Sequence, residues 1–303
     1  MPAMESFEGK IAVVTGGASG MGRELVRQLA AEGCHVALCD LSVEEMAETR
    51  EQALADAPAG TVVTTHTCDV ADEQSWLAFR DAVVEQHATD HVNLLFNNAG
   101  IGGGGSVVTD TRESWERTFN VCWGGVYLGV RTFLPLLIAS DDGHIVNTSS
   151  VNGFWASIGP DRPHTAYSAA KFAVKGFSEA LITDLRVNAP HVKVSVVMPG
   201  HIGTSIVQNS MRHGGMELDM ESTELVKMAS DMFRDTAPTS AAEASTEILD
   251  GVRAGRWRLL IGADAKQLDA AVRANPEGAY DGLSLGDLTS SSGPLQSLAD
   301  TER

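Results

Sequence analysis

Short runs of apolar residues alternate with amphipathic stretches through most of the chain. Residues 10–15 (KIAVVT) are apolar and β-branched, end at a glycine cluster and precede a helical pattern, which predicts a strand, a tight turn and a helix. Further apolar runs end at Asp40, Val70, Phe96, Ser150, Met198 and Gly262. Helical patterns cover residues 42–55, 72–86 and 165–187.

Strands that are apolar along their whole length are typical of a parallel sheet with helices on both faces. Because crossovers between parallel strands are right-handed, these runs predict an α/β fold with a Rossmann-type, doubly wound parallel sheet of seven strands. We expect a single domain over residues 1–274. Residues 275–303 are rich in Gly, Ser, Asp and Leu, which predicts an extended or partly disordered C-terminal arm.

Two segments depart from this alternation. Residues 119–137 are apolar on more than one face of the predicted helix, and a second subunit is the simplest cover for them. We therefore expect a homo-oligomer, either a dimer or a homotetramer. Residues 204–238 lack a strand pattern and carry five of the ten methionines. They are either an amphipathic helical pair that fills irregular gaps or a mobile lid over a substrate pocket.

The formal net charge of -18 limits the classes of partner. So acidic a chain repels nucleic acid phosphates and anionic lipid, and we expect neither nucleic acid nor a membrane as partner. The four cysteines form no CxxC pair and lie within apolar runs, which indicates reduced core thiols rather than disulfides or a metal site. With no signal-sequence pattern and no long apolar run, a cytoplasmic location is expected.

A glycine-rich turn, TGGASGMG at residues 15–22, follows the first predicted strand. Glycines at a strand-to-helix turn let the backbone approach a diphosphate and direct amide groups at it, at the positive end of a helix. The spacing of Gly16, Gly20 and Gly22 differs from the common GxGxxG fingerprint, and the GK[ST] of a P-loop is missing. The turn alone is therefore weak support for a dinucleotide site.

The second predicted strand ends in Asp40, which strengthens the prediction of a dinucleotide site. A carboxylate at this place can accept hydrogen bonds from the adenosine ribose hydroxyls. Asp40 could instead cap the next helix, but Ser42 and Glu45 already form a predicted capping box there. Because the carboxylate would repel a 2'-phosphate and no Lys or Arg lies in the turn, NAD is preferred over NADP.

Tyr167 and Lys171 lie four residues apart in YSAAK and therefore on one face of a predicted helix. A free tyrosine has a pKa near 10, and an adjacent ammonium lowers it toward the range that a general acid/base requires. Upstream, the strand HIVNTSS ends in Ser149 and Ser150 at the edge where open α/β sheets bind ligands. Strand alternation favours Ser150 as the side chain that faces the cleft.

Taken together, these motifs resemble the short-chain dehydrogenase/reductase family, in its compact single-domain branch, over about residues 7–262. The matching segments are the glycine turn, Cys68-Asp69-Val70, NNAG at residues 97–100, NVCWG at 120–124, YSAAK and PGHIGT at 199–204. In one respect the chain departs from the family: the interval between Ser150 and Tyr167 is several residues longer than is usual.

The resemblance implies an NAD-dependent oxidoreductase that interconverts an alcohol and a ketone. Tyr167 would exchange a proton with the substrate oxygen, which Ser150 would polarise. Lys171 would hold the nicotinamide ribose, and Asn120 would anchor a water that connects Lys171 to solvent. The implied NAD contacts are Gly16, Ser19, Gly20, Met21, Gly22, Asp40, Asp69, Val70, Asn97, Ala99, Gly100, Tyr167, Lys171, Pro199, Gly200, Ile202 and Thr204.

The substrate side is less defined. The apolar pair Phe154 and Trp155 predicts a pocket wall, and with the methionines of residues 204–238 it favours a hydrophobic cyclic or terpenoid-like alcohol or ketone. His164 and His201 lie in loops near the pocket, where a histidine is more often solvated or hydrogen-bonded than bound to substrate. Two alternatives stay open: an epimerase or dehydratase of the extended branch, and a regulator or scaffold that binds NAD without turnover.

Overall fold

The computed structural model describes residues 4–159, 162–213 and 220–280 and contains one large, wholly parallel sheet. Its strands are β1 (Ile11–Thr15), β2 (His35–Asp40), β3 (Val63–Thr67), β4 (Leu94–Asn97), β5 (Gly143–Thr148), β6 (Val192–Pro199) and β9 (Arg258–Ile261). They lie in the order β3-β2-β1-β4-β5-β6-β9. The prediction of a seven-stranded, doubly wound parallel sheet is confirmed.

Helices cover both faces of this sheet. They are α1 (Gly20–Ala31), α2 (Val43–Asp56), α3 (Glu73–Gln86), α4 (Arg112–Phe119), α5 (Gly125–Ile138), α6 (Thr165–Asn188), α7 (Ile206–His213), α8 (Met220–Asp235), α9 (Ala241–Arg253) and α10 (Ala263–Ala274). Alternation along β1 shows why the strands are apolar throughout. Ala12 and Val14 join a core with α1 and α9, whereas Ile11 and Val13 join a second core with α3, α5 and α6.

The direction of winding reverses between β1 and β4, which are neighbours although two strands separate them in sequence. In open α/β sheets this reversal leaves a crevice beyond the carboxyl ends of the two strands. The loops after β1 and β4 are the glycine turn and the NNAG segment. The fold therefore brings the motifs identified in the sequence to one edge of the sheet.

One long helical stretch, Arg112–Ile138, runs through α4, a π-helical turn at Asn120–Gly124 and α5. Its length and composition would permit it to cross a membrane, yet half of its most apolar window is buried inside the fold, as in the core helix of a soluble protein. Large apolar side chains on α5 and α6 nevertheless stay exposed, including Tyr127 at 42% and Phe172 at 42%.

The segment between β6 and α9 differs in part from the sequence prediction. It holds the helical pair α7 and α8, as one alternative proposed, and a short two-stranded parallel pair, β7 (Ile202–Gly203) and β8 (Thr239–Ser240), that the pattern did not indicate. Met228 and Met232 are 69% and 67% exposed, so they do not fill gaps in the core. The side chains of Met211, Met216 and Met220 lie outside the described residues.

The first residues of the predicted C-terminal arm pack against the domain. A 3-10 turn at Gly278–Tyr280 follows α10, and Ala279 is buried in a small apolar cluster with Trp155 and Leu268. The rest of the predicted arm, residues 281–303, lies outside the described residues.

Candidate active site

A cleft of about 370 Å³ opens at the carboxyl edge of the sheet, where β1 and β4 diverge. Its lining includes ten of the residues expected to bind cofactor: Gly16, Ser19, Gly20, Met21, Asp40, Asp69, Val70, Ala99, Gly100 and Thr204. The other expected contacts, Gly22, Asn97, Tyr167, Lys171, Pro199, Gly200 and Ile202, do not line this cleft. The cleft thus gathers the residues that were expected at the adenosine and diphosphate end of the predicted site.

The glycine turn is shaped so that only glycine fits at key places. Gly16 and Gly20 have φ angles of +65° and +53°, in the left-handed region that side chains disfavour. A Cβ on Gly22 would lie 1.9 Å from the carbonyl oxygen of Gly16, so any larger residue would displace the turn. The turn brings bare backbone to the start of α1, which suits a diphosphate.

Asp40 both lines the cleft and fixes the turn. Its Oδ2 accepts the backbone N–H of Ala18 at 3.1 Å, and its Oδ1 accepts that of Leu41 at 2.7 Å. Ser42 caps α2 by accepting the N–H of Glu45 at 3.4 Å. Asp40 Oδ1 also accepts the backbone N–H of Ser42 at 3.4 Å, so Asp40 lies at the cleft wall with both carboxylate oxygens already hydrogen-bonded to backbone.

Asp69 lies at the far end of the cleft and is paired with Arg117, a contact for which the sequence carries no signal. The Arg117 guanidinium donates to Asp69 at 2.8 Å. Arg117 is the one basic residue among the described residues that line the cleft, and its charge is compensated by this carboxylate. The pair therefore does not form a free cationic subsite for an extra phosphate.

The NNAG segment divides its asparagines between two tasks. Asn98 lines the cleft, and its Nδ2 donates to the carbonyl of Thr15 at 3.0 Å. Asn97 is buried, and its Nδ2 donates to Oδ1 of Asn147 at 2.8 Å, which ties β4 to β5. Asn97, expected to contact the cofactor, thus supports the sheet, and the neighbouring Asn98, which was not predicted, faces the cleft.

Two adjacent serines at the end of β5 separate as strand alternation predicts. The hydroxyl of Ser150 lies on the Tyr167 side, where it lowers the pKa of the phenol, and it accepts the backbone N–H of Asn152 at 3.1 Å. The hydroxyl of Ser149 instead donates to the carbonyl of Lys171 at 2.7 Å in the interior. Ser150 is therefore the serine that can share a substrate oxygen with Tyr167.

Lys171 lies one turn after Tyr167 along α6, and its ammonium group is close to the Tyr167 ring. Its Nζ donates to the carbonyl of Thr148 at 2.9 Å and lies 5.3 Å from the centre of the Tyr167 ring. Burial lowers the pKa of Lys171 and raises the pKa of Tyr167, which the hydrogen bond from Ser150 opposes. The expected lowering of the phenol pKa by this ammonium is not found: burial and then the Cys122 thiol raise the pKa, and Ser150 is the group that lowers it.

The water-anchoring role expected of Asn120 stays a prediction. Asn120 is exposed, whereas Cys122 is fully buried and donates its thiol to the carbonyl of Ile101 at 3.1 Å. A Cβ on Gly100 would lie 3.5 Å from Lys171 Nζ and 3.7 Å from Cys122 Sγ, so the thiol lies near the ammonium. The π-helical turn widens the helix here and changes which residue faces inward. Cys122 therefore takes the buried place on this turn, and Asn120 takes the exposed one.

The two loop residues expected to form an apolar pocket wall also need correction. Trp155 is fully buried, packs against α10, and donates its Nε1–H to the carbonyl of Ala279 at 2.7 Å. Phe154 is half-buried against the same cluster. The longer loop after Ser150 has a core of its own because α10 and the 3-10 turn after it cover the loop.

The two histidines near the site behave differently. The backbone N–H of His201 donates to Asp264 at 2.6 Å, and its ring donates to the carbonyl of Phe233 at 2.7 Å, so its role is structural. The ring of His164 instead stacks on the ring of Tyr167, with centroids 4.6 Å apart and planes 18° from parallel.

Comparison with known proteins is consistent with this geometry. The model of the short chain dehydrogenase family matches residues 10–214, about two thirds of the chain. The chain belongs to the short-chain dehydrogenase/reductase family. SadH of Mycobacterium tuberculosis is 39% identical over 270 residues, which cover 89% of this chain and 92% of that protein. Levodione reductase of Leifsonia aquatica is 30% identical, over 88% of this chain and 92% of that enzyme.

Solved structures of the family superpose well on this short-chain dehydrogenase/reductase. A family member from Burkholderia phymatum, solved in complex with NAD, has a TM-score of 0.79 and 29% identity, covering 91% of this chain and 95% of that one. The trans-4-hydroxycyclohexanecarboxylate dehydrogenase of Sinomonas cyclohexanicum is a further relative, 32% identical over 71% of this chain and 82% of that enzyme. The family and its oxidoreductase character are thus shown.

Proposed function

We propose that this enzyme transfers a hydride between NAD(H) and a hydrophobic secondary alcohol or its ketone. The observation that carries the proposal is the cluster of Ser150, Tyr167 and Lys171 at the edge of the sheet that also bears the glycine turn. A phenol that lies beside a hydroxyl and near an ammonium can exchange a proton with a carbonyl or carbinol oxygen.

The glycine turn would hold the cofactor diphosphate, Asp40 the adenosine ribose, and Asp69 with Val70 the adenine. Bound NAD would supply the carbon that accepts or donates the hydride. NAD is favoured over NADP because the Asp40 carboxylate lies at the cleft wall and Arg117 is already paired with Asp69. A solved relative that binds NAD agrees with this preference.

Tyr167 would act as the acid when a ketone is reduced and as the base when an alcohol is oxidised. Because burial raises its pKa, the phenol holds its proton at neutral pH, which suits ketone reduction. Ser150 would donate its hydroxyl hydrogen to the substrate oxygen and so stabilise the charge that develops there. Lys171, held by the carbonyl of Thr148, would favour the phenolate in the oxidation direction.

Two of the relatives act, by their names, on levodione and on trans-4-hydroxycyclohexanecarboxylate. These names support a cyclic alcohol or ketone as the substrate class of this chain. We further propose that the exposed apolar side chains of α5 and α6, such as Tyr127 and Phe172, pair with a second copy, and that the oligomer works in the cytoplasm.

The test is to incubate the protein with NAD and a panel of cyclic secondary alcohols and to follow the absorbance of reduced nicotinamide. We expect turnover, and we expect Tyr167→Phe to lower kcat by roughly 10²–10⁴-fold without loss of NAD binding. Binding of NAD with no turnover across the panel would overturn the proposal and favour a regulator or scaffold instead.

A further inference from the structure

His164 occupies a place beside the reacting phenol that none of the proposed roles uses. It is the residue before α6, three positions before Tyr167, and its ring lies nearly parallel to the Tyr167 ring at 4.6 Å. No side-chain bond from His164 caps the helix. The imidazole is therefore held against the site by packing, with its ring nitrogens free of a capping role.

One of those nitrogens lacks a partner. Nδ1 of His164 is shielded from water and has no hydrogen-bond partner among the described residues. The backbone at the start of α6 is paired with another loop: the carbonyls of Gly104 and Gly105 accept from Ala166 and Thr165, each at 2.9 Å. A buried polar atom left unpaired costs about 1–3 kcal/mol, so a hydrogen bond from a ligand group that reaches Nδ1 would be favourable.

The charge of the ring limits what that partner can be. Burial lowers the pKa of His164 to about 4, so the imidazole is neutral at physiological pH. A neutral ring nitrogen recognises a hydroxyl or carbonyl by one hydrogen bond and offers no charge to a carboxylate.

We propose that Nδ1 of His164 binds a second, uncharged oxygen of the substrate, so that the enzyme prefers ketones with a further carbonyl or hydroxyl group over simple ketones. The inference rests on the proposed alcohol and ketone chemistry at Tyr167. It deepens that function because stacking places the imidazole beside the ring whose hydroxyl meets the reacting oxygen. His164 is thus a specificity-determining residue.

The test compares cyclohexanone with 1,4-cyclohexanedione as substrates of the NADH-loaded enzyme. His164→Phe keeps an aromatic ring on Tyr167 but removes the nitrogen, and His164→Asn restores a polar group near the place of Nδ1. We expect the ratio of kcat/KM for the dione to that for the monoketone to fall about tenfold in His164→Phe and to recover in part in His164→Asn. The two equivalent carbonyls of the dione affect every variant alike and cancel in this comparison.

Ser168→Ala is the matched control, because the Ser168 hydroxyl is also buried without a partner among the described residues, one helical turn from His164. The ratio should stay at the wild-type value in this variant. A ratio that is unchanged in His164→Phe, or that falls only in Ser168→Ala, overturns the inference.

Binding separates this inference from the proposed function. If neither ketone is turned over, the proposed chemistry fails, but calorimetric titration of the NADH complex with 1,4-cyclohexanedione still tests His164. A Kd about tenfold higher in His164→Phe than in the wild type would support the contact. Equal Kd values in the two proteins would overturn it.

Discussion

The cofactor end and the substrate end of the site are built in different ways. The cofactor end lies directly on strand ends: Asp40 ends β2, and the glycine turn follows β1. The surroundings of Tyr167 are instead a helix start at His164, a π-helical turn at Cys122 and, after Ser150, a loop whose Trp155 belongs to the core. The positions of side chains that strand register fixes can be predicted from the sequence. The positions of those fixed by packing between distant segments cannot.

Trp155 gives the sharpest test of this difference, because the sequence predicts it in a pocket wall whereas the structure places it in a core. We expect Trp155→Ala to lower the free energy of unfolding by about 3–5 kcal/mol, as large-to-small changes in a packed core do. Chemical denaturation followed by circular dichroism measures it. Trp257→Ala is the control, since Trp257 is 45% exposed and its loss should cost clearly less. An unchanged stability with an altered substrate preference would restore Trp155 to the pocket.

The contributions of the buried Cys122 and the exposed Asn120 to activity can be compared with two variants of the same helical stretch. Cys122→Leu forces extra volume between the helix and the Lys171 ammonium, and a shift of the reacting groups of about 1 Å should lower kcat by roughly tenfold to a hundredfold. Asn120→Ala removes an exposed side chain and should leave kcat within about twofold. Steady-state kinetics of both variants measures these changes in kcat. A large loss of kcat in Asn120→Ala alone would support the water-anchoring role expected of Asn120.

A substitution of Asp40 tests the preference for NAD over NADP, and its expected effect is the smallest of the three. Asp40→Asn keeps the shape of the side chain but removes its charge, and we expect the ratio of the Kd for NADP to the Kd for NAD to fall by about tenfold or more. Titration of nucleotide against intrinsic fluorescence measures both constants. Asp56→Asn, which removes an equal charge from the exposed end of α2, should leave the ratio unchanged. Should wild-type protein itself bind NADP more tightly, the charge argument is wrong.

Apolar periodicity was sufficient to predict the sheet and most of its helices. The runs at β1, β2 and β6 are buried on both faces, and burial on both faces requires apolar residues at every position. The predicted strands that should have reached Val70 and Ser150 end earlier, at Thr67 and Thr148, because the last residues turn toward the cleft. Hydrophobicity specifies strand ends only weakly, because the residues there leave the hydrogen bonds between neighbouring strands and contact loops instead.

The missed features depend on contacts between segments far apart in the chain. Arg117 reaches Asp69 across 48 positions, and Trp155 reaches Ala279 across 124. The short β7 and β8 pair has only two residues in each strand, too few for a periodic pattern. The motif NVCWG was correctly located, but a π-helical turn cannot be read from five residues, and it decides which side chain faces Lys171.

The central claim is that a hydride passes between nicotinamide and a carbon whose oxygen is held by Tyr167. The most direct measurement uses NADH dideuterated at the reacting nicotinamide carbon, a cyclic ketone and mass spectrometry of the alcohol formed. The account predicts one deuterium on the carbinol carbon with the wild-type protein and loss of product in Tyr167→Phe. Tight binding of the labelled cofactor with no labelled alcohol would contradict it.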